Sequence, residues 1–454
     1  MPAPAPNTLI ATRACMGIGS AFIMPATLSI ITNVFPARER GKAIGVWAGT
    51  AGIGAAIGPL TGGFLLEHFY WGSIFLVNIP IVIFGLLAGV LLIPTSKDPS
   101  VPKLDLVGAA LSIVGLSTLV YAIIQAPSRG WTDPLILTAF GVSGVVLAAF
   151  LLWEWRSSHP MLELRFFRNP RFSAASLAIM SVFLALFGLT LIFTQYFQFI
   201  LGFSPLATGV RLLPMAAAMM IVAPLSAKVV ERLGAKRTIA MGMLTAAAAA
   251  GSFAFADAST AYFPDIFLRF SFMGCGMALT MAPATDSVMG SLPLAKAGVG
   301  SAMNDTTRQV GGALGIAILG SVFASIFGAK VGDFLVHTSV PHQQAELARH
   351  SVGIAIQLAR RVPGLEPVAN TAFSDGMHAA AILGAGVTLI GVMAVLRWLP
   401  ARARDEDVMA QDAAYAYGAP VLAAAGADGD GDGTGDGGGA RPVPSGARPR
   451  QGGA

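Results

Sequence analysis

Gly41–Pro80 reads GKAIGVWAGTAGIGAAIGPLTGGFLLEHFYWGSIFLVNIP, and its first half decides the fold. Gly54, Gly58 and Gly62 recur every four residues, so on a helix they line one face, with Pro59 and Gly63 beside them. In water this helix should fail, because an interior glycine costs about 1 kcal/mol and a proline about 3 kcal/mol. In a bilayer it persists, because the backbone has no water to bond to instead. Small residues at this spacing let a second helix approach closely. A proline inside the run loosens one turn and sets a bend. Two readings follow: a plain packing face, or a smooth, bent helix between two halves that rock against each other.

The rest of the chain has the composition this requires. It has 454 residues, 54% of them hydrophobic and 12% charged, against about 25% charged in a soluble domain. Mean hydropathy is +0.69. The class is all-α polytopic membrane protein. The net charge of +5 is no nucleic-acid signal, because the basic residues sit in short loops. Cys15 and Cys275 each stand alone in an apolar segment, and the six histidines have no ligand spacing, so no disulfide framework or metal site is expected. MPAPAPNT lacks a basic start, and the apolar run after it is of full span length, which argues against a cleavable signal peptide.

Runs of about 20 apolar residues read as membrane spans. Eleven are expected, near 8–31, 42–65, 73–94, 105–126, 135–154, 173–199, 206–227, 237–257, 262–285, 301–327 and 378–399. Lys and Arg crowd the short loops of one side, among them Arg38, Arg40, Lys42, Lys97, Lys103, Arg165, Arg171, Lys228 and Arg402. The opposite short loops hold only Arg129. Basic loops stay in the cytoplasm, so the N-terminus is expected outside and the C-terminus inside. Residues 329–377 are expected as a long extracellular segment with room for an amphipathic helix. Residues 401–454 form a low-complexity tail with almost nothing to bury. Within it Asp428, Asp430, Asp432 and Gly433 mimic the start of a calcium loop, but the closing glutamate is Gly439.

Gly45, Gly54, Gly58, Pro59, Gly62 and Gly63 reproduce the pattern G-x8-G-x3-G-P-x2-G-G, and Trp71, Phe75, Asn78 and Pro80 follow as WxxxFxxNxP. The chain thereby resembles the major facilitator superfamily, in its fourteen-span drug:proton antiporter branch (EmrB/QacA type). The resemblance covers roughly residues 8–400. It implies the major facilitator fold, export as the direction and a proton as the coupling ion. Aligned with that pattern, the first span here looks like the fourth of fourteen. The expected division is then a partial N-terminal bundle (1–94), two linking spans with a basic linker (95–172), and a six-span C-terminal bundle (173–400) before the tail. A chain that truly lacked three spans would need a partner to supply them, or be an inactive remnant.

Candidate site residues come from ionisable and amide groups inside spans, which are costly there and mark function by default. Arg13 in ATRACMGIGSAFIMP either faces a cavity or snorkels to the surface; the resemblance, which includes Gly17, Gly19 and Pro25, favours the cavity. Gln198 either touches substrate or lies at the membrane surface. Asp286, Asn304, Asp305 and Arg308 lie in MAPATDSVMGSLPLAKAGVGSAMNDTTRQVGGALG, a run similar to family members. Asp305 and Arg308 are three apart, so one helical face can pair them. Either carboxylate can carry the coupling proton, or both can be structural. The loop AKVVERLGAKR resembles a degenerate copy of the superfamily's gate motif, with Glu231 in place of aspartate and Arg232, Gly234 and Lys236 matching. It serves as a gate or as a topology signal.

No nucleophile–base set and no G-x-x-x-x-G-K-[ST] phosphate loop occurs, so neither an enzyme nor an ATP-driven pump is expected. The expectation is proton-coupled efflux of drugs, antibiotics or other amphipathic small molecules. A proton gradient supplies the energy and no cofactor is involved. The partners are the small-molecule substrate and the lipid bilayer. An exporter of one endogenous metabolite is the alternative.

Overall fold

A computed structural model describes residues 6–92, 105–157, 160–162, 164–292 and 296–400. Lys97, Lys103 and the tail with its calcium-like aspartates lie outside them, as does the side chain of Pro25. The helices are α1 (Pro6–Val34), α2 (Ala37–His68), α3 (Ser73–Leu76), α4 (Asn78–Leu92), α5 (Leu106–Arg129), α6 (Pro134–Arg156), α7 (Pro170–Gln195), α8 (Pro205–Leu233), α9 (Ala235–Ser252), α10 (Phe267–Met289), α11 (Ala297–Val336), α12 (His342–His350), α13 (Val352–Ala359) and α14 (Leu365–Trp398). Eleven stretches among the described residues are long and apolar enough to cross a membrane. That is the number read from hydropathy. The third is α3 and α4 together, interrupted at Val77. The cause is local: Pro80 has no N–H for the carbonyl of Leu76.

The end of the bundle that holds Arg40, Arg171 and Lys228 is called the basic end below, and the other the far end. At the far end the structure differs from the expected 329–377 segment. α11 runs to Val336 and α14 starts at Leu365, so only residues 337–364 lie between them. Both extensions are held by an ion pair between Lys330 and Asp375 and by Arg349 packed on Gly332. The expected amphipathic helix is present as α12, followed by α13. Among the described residues no group of three or more His, Cys, Asp or Glu is placed to hold a metal ion.

Helices α7 to α11 and α14 enclose the core. Their closest crossings use glycine: Gly315 lies against the Leu184 backbone, Gly274 against Met215, and Gly276 against Gly242 and Ala246. At the far end Phe193, Tyr196, Phe197, Phe253 and Phe270 form a buried aromatic cluster. α5 and α6 pack on each other, with Ser143 Oγ donating to the Gly115 carbonyl at 2.9 Å. Asp105 caps α5 by accepting from Gly108 N–H at 2.8 Å, and it also accepts from Trp153 Nε1 at 3.0 Å. α1 and α4 present broad apolar surface instead, Ile18 and Phe84 being 65% and 75% exposed.

Candidate functional site

The site lies along the seam where α2 meets the C-terminal helices. α2 and α8 touch over most of their length, and glycine sets the distance. A Cβ on Gly45 would stand 3.0 Å from the Ala223 carbonyl oxygen, one on Gly52 3.0 Å from Met220 N, and one on Gly63 2.6 Å from Leu206 Cα. From the other side, Gly209 of α8 sits on Pro59, where a Cβ would be 2.6 Å from its carbonyl oxygen. Gly45, Gly52 and Pro59 are seven residues apart, two helical turns, so they share one face. Glu67 Oε1 fastens the far end by accepting from Leu206 N–H at 3.0 Å, at the start of α8.

The stripe that stood out in the sequence is elsewhere. Gly54, Gly58 and Gly62 have no heavy atom within 4 Å of a notional Cβ. Gly54 follows Gly45 by nine residues, which is half a turn around the helix. The antiporter pattern is therefore split. Gly45, Pro59 and Gly63 belong to the packed seam, while Gly54, Gly58 and Gly62 line an open face.

At the basic end the seam is latched by charge. Arg40 at the start of α2 is 6% exposed, and its Nε lies 3.1 Å from Asp286 Oδ1 on α10. Arg171 at the start of α7 donates from Nη1 to the Gly290 carbonyl at 3.3 Å. Two arginines from two helices thus meet the carbonyl end of α10, where the helix dipole is negative and the last carbonyls lack partners. The gate-like loop does not take part in this. Gly234 is buried at φ +81°, a conformation that favours glycine, and turns α8 into α9. Glu231 and Arg232 are exposed. Among the described residues neither they nor Lys236 form an ion pair.

Beside the latch is a buried polar cluster. Asn304 and Thr285 are fully buried and Asp305 is 9% exposed. Arg308 Nη2 donates to Thr285 Oγ1 at 2.8 Å, and Thr285 Oγ1 lies 3.4 Å from Asn304 Oδ1. The Arg308 guanidinium sits 4.8 Å from the Trp47 ring of α2 and 5.4 Å from the Phe183 ring of α7. It therefore bridges the two sides of the seam by cation–π contact. The spacing expectation of an Asp305–Arg308 pair is not met: among the described residues no ion pair joins them. Thr285 and the two rings take the arginine head away from its own helix. Asp305 Oδ2, Asn304 Nδ2 and Arg308 Nε are buried with no hydrogen-bond partner. Two donors and one acceptor are left unspent in one place, an arrangement able to bind a polar group or exchange a proton.

The remaining candidates lie outside this cluster. Arg13 is exposed on α1, with its guanidinium 5.0 Å from the Phe75 ring. Phe75 meets Trp71 edge-on at 6.1 Å, and Asn78 Nδ2 donates to the Phe75 carbonyl at 3.4 Å, so the WxxxFxxNxP residues form a local knot. Gln198 is half-buried in the π-helical turn Tyr196–Ile200 after α7. Sequence reasoning did not mark Arg40, Trp47, Phe183 or Thr285 as site residues. Trp47 carried a faint signal as a large ring among the small residues of the first half of the glycine-rich helix.

The model of the Major Facilitator Superfamily matches residues 1–316. The chain belongs to the major facilitator superfamily. Its similar proteins include the Multidrug resistance protein Stp of Mycobacterium tuberculosis, 32% identical over 412 residues that cover 88% of this chain and 76% of that protein. The Multidrug efflux pump LfrA of Mycolicibacterium smegmatis is 32% identical over 399 residues, 87% and 78% of the two chains. The Tetracenomycin C resistance and export protein of Streptomyces glaucescens is 29% identical over 398 residues, 86% and 74%. In this superfamily member the latch, the polar cluster and the glycine seam all lie between α2 and the C-terminal helices.

Proposed function

We propose that this transporter exports amphipathic drugs or antibiotics across the membrane in exchange for protons. The observation that carries the reading is the Asp305–Asn304–Arg308 cluster, buried at the seam with unspent donors and acceptor. The names of the similar proteins, multidrug resistance and efflux, support the substrate class. In this reading the basic end faces the cytoplasm, as the positive-inside rule requires. Substrate lies against the open face of Gly54, Gly58 and Gly62, where the helix presents backbone and no bulk. Asp305 holds a proton in one state and releases it in the other. Arg308, whose guanidinium lies 4.8 Å from the Trp47 ring, registers the change across the seam. Opening the basic end breaks Arg40 from Asp286, and the halves rock about the α2–α8 contact. No cofactor is needed, because the proton gradient supplies the energy.

Uptake of ethidium into inverted vesicles, started by a pH gradient, tests this. Uptake that an ionophore abolishes and that Asp305→Asn lacks is the expected result. Uptake unaffected by the ionophore overturns proton coupling. A second reading, export of one endogenous compound, is favoured by a similar protein named for a single antibiotic. In that case one compound is transported and dyes are not.

A further inference from the structure

A cleft of about 350 Å³ lies away from the seam, between the linking helix α5, α7 and α11. α5 is fixed to α11 at its floor, where Ser321 Oγ donates to the Ile123 carbonyl at 2.7 Å. The walls are apolar and open: Ile124, Leu191, Phe199 and Ile316 are 50%, 43%, 39% and 37% exposed. At this depth of a spanning bundle the surrounding solvent is hydrocarbon, so an acyl chain is the natural filling. The roof is different in kind. Arg349, His350 and Ser351, at the junction of α12 and α13, close the cleft at the far end. Arg349 has five N–H donors. One goes to Glu346 Oε1 at 2.8 Å, and its Nε packs on Gly332, which leaves the other guanidinium N–H groups for a ligand. The same glutamate is shared with His350 Nε2 at 3.6 Å. Glu346 is the one acidic residue between His337 and Gly364, against Arg349, Arg360 and Arg361. An apolar slot roofed by an arginine with N–H groups to spare and by a histidine matches a molecule with a hydrocarbon tail and a phosphate head.

We infer that this cleft is a binding site for one anionic phospholipid, with an acyl chain between α5, α7 and α11 and its phosphate on Arg349 and His350. The lipid occupies the gap between the linking spans and the C-terminal helices and is independent of the export reading. An amphipathic cation is the competing occupant, and the charge of Arg349 repels it.

The test uses the full chain in nanodiscs of equal phosphatidylglycerol and phosphatidylcholine, followed by mild extraction and native mass spectrometry. One phosphatidylglycerol retained per protein, in preference to phosphatidylcholine, is expected. Ile316→Trp fills the slot from an exposed position and should abolish retention of either lipid. Leu191→Trp does the same from the opposite wall, should the first variant not fold. Arg349→Gln should keep a lipid but lose about tenfold in the preference for the anionic head, the size of one charge-assisted hydrogen bond. Equal retention of both lipids, or none, overturns the site. Displacement of the lipid by tetraphenylphosphonium from the wild type, and more readily from Arg349→Gln, marks a cation cleft and overturns it as well.

Discussion

α2 carries two sets of small residues on different faces, and they do different work. Gly45, Gly49, Gly52, Pro59 and Gly63 touch the backbone or prolines of α8, whereas Gly54, Gly58 and Gly62 touch nothing within 4 Å. The regular four-residue stripe catches the eye, yet the seven-residue set makes the contact. Small size alone therefore does not say that a helix packs there. A glycine face is used for approach only where a second backbone arrives. Elsewhere it leaves room, and room beside an interface between halves is what a transported molecule needs.

The largest expected effect breaks the two faces apart directly. Gly63→Leu drives a side chain into the α8 backbone, an overpacking cost of about 3 kcal/mol or more. The amount of folded protein in membranes, measured by fluorescence-detection size exclusion, should drop roughly tenfold or further. Gly58→Leu should insert and fold at the wild-type level and lose ethidium export. Equal folding loss in both variants would erase the distinction between the faces.

Next come the two carboxylates on the seam. Asp305→Asn should leave folding intact and reduce proton-driven uptake by about a hundredfold, the lower range for losing a positioned proton donor. Asp286→Asn should also abolish efflux while the protein still inserts, but for another reason, since it releases Arg40. The exchange Arg40→Asp with Asp286→Arg rebuilds that latch and should restore part of the activity. A failure of the exchange, with proton release lost as well, would move the coupling role to Asp286.

A smaller effect is expected at the bridge. Trp47→Leu keeps an apolar side chain, though a smaller one, and removes the ring under Arg308, a contribution of about 1 kcal/mol. Several-fold slower export with normal folding is the outcome, read from initial rates in vesicles. Loss of folding instead would make Trp47 part of the packed seam.

The smallest effect is a control remote from both faces. Asp257, in the turn between α9 and α10, accepts hydrogen bonds from the Ser259 hydroxyl and N–H and from the Thr260 hydroxyl. These hold its carboxyl below the ordinary carboxylate range. Its stabilisation is thus present above the unfolded pKa of about 3.9 and is lost as pH falls through the lower folded value. The group is almost fully exposed, so the contribution is under about 0.5 kcal/mol after screening. Thermal unfolding of Asp257→Asn should lie slightly below wild type at pH 7 and converge with it as the pH falls below the carboxylate range, with export unchanged.

Much of the architecture was legible in one dimension. The eleven spans, the basic loops and the family pattern were all readable, and Pro80 alone accounts for the break at Val77. Asp305 and Arg308 stood out because ionisable residues inside an apolar run are costly wherever they point. Their partners were not legible. Arg40 and Asp286 are 246 residues apart in sequence, and Thr285 looked like any other helical threonine. The expected Asp305–Arg308 pair did not form because a neighbouring helix offered Arg308 a hydroxyl and two rings. The far-end segment holds more helix than was legible, because a helix need not end where its hydrophobic stretch ends: Lys330 and Asp375 hold two extensions beyond it.

The sequence by itself determined the membrane class, the number of spans and the superfamily. Entry into a bilayer is close to a local sum over some 20 neighbouring residues, and the chain carries that sum openly. Only the tertiary structure decided which face of α2 became the seam, which arginine met Asp286, and which polar atoms were buried without partners. Those outcomes depend on backbones that meet across long separations in the chain, where no local sum applies.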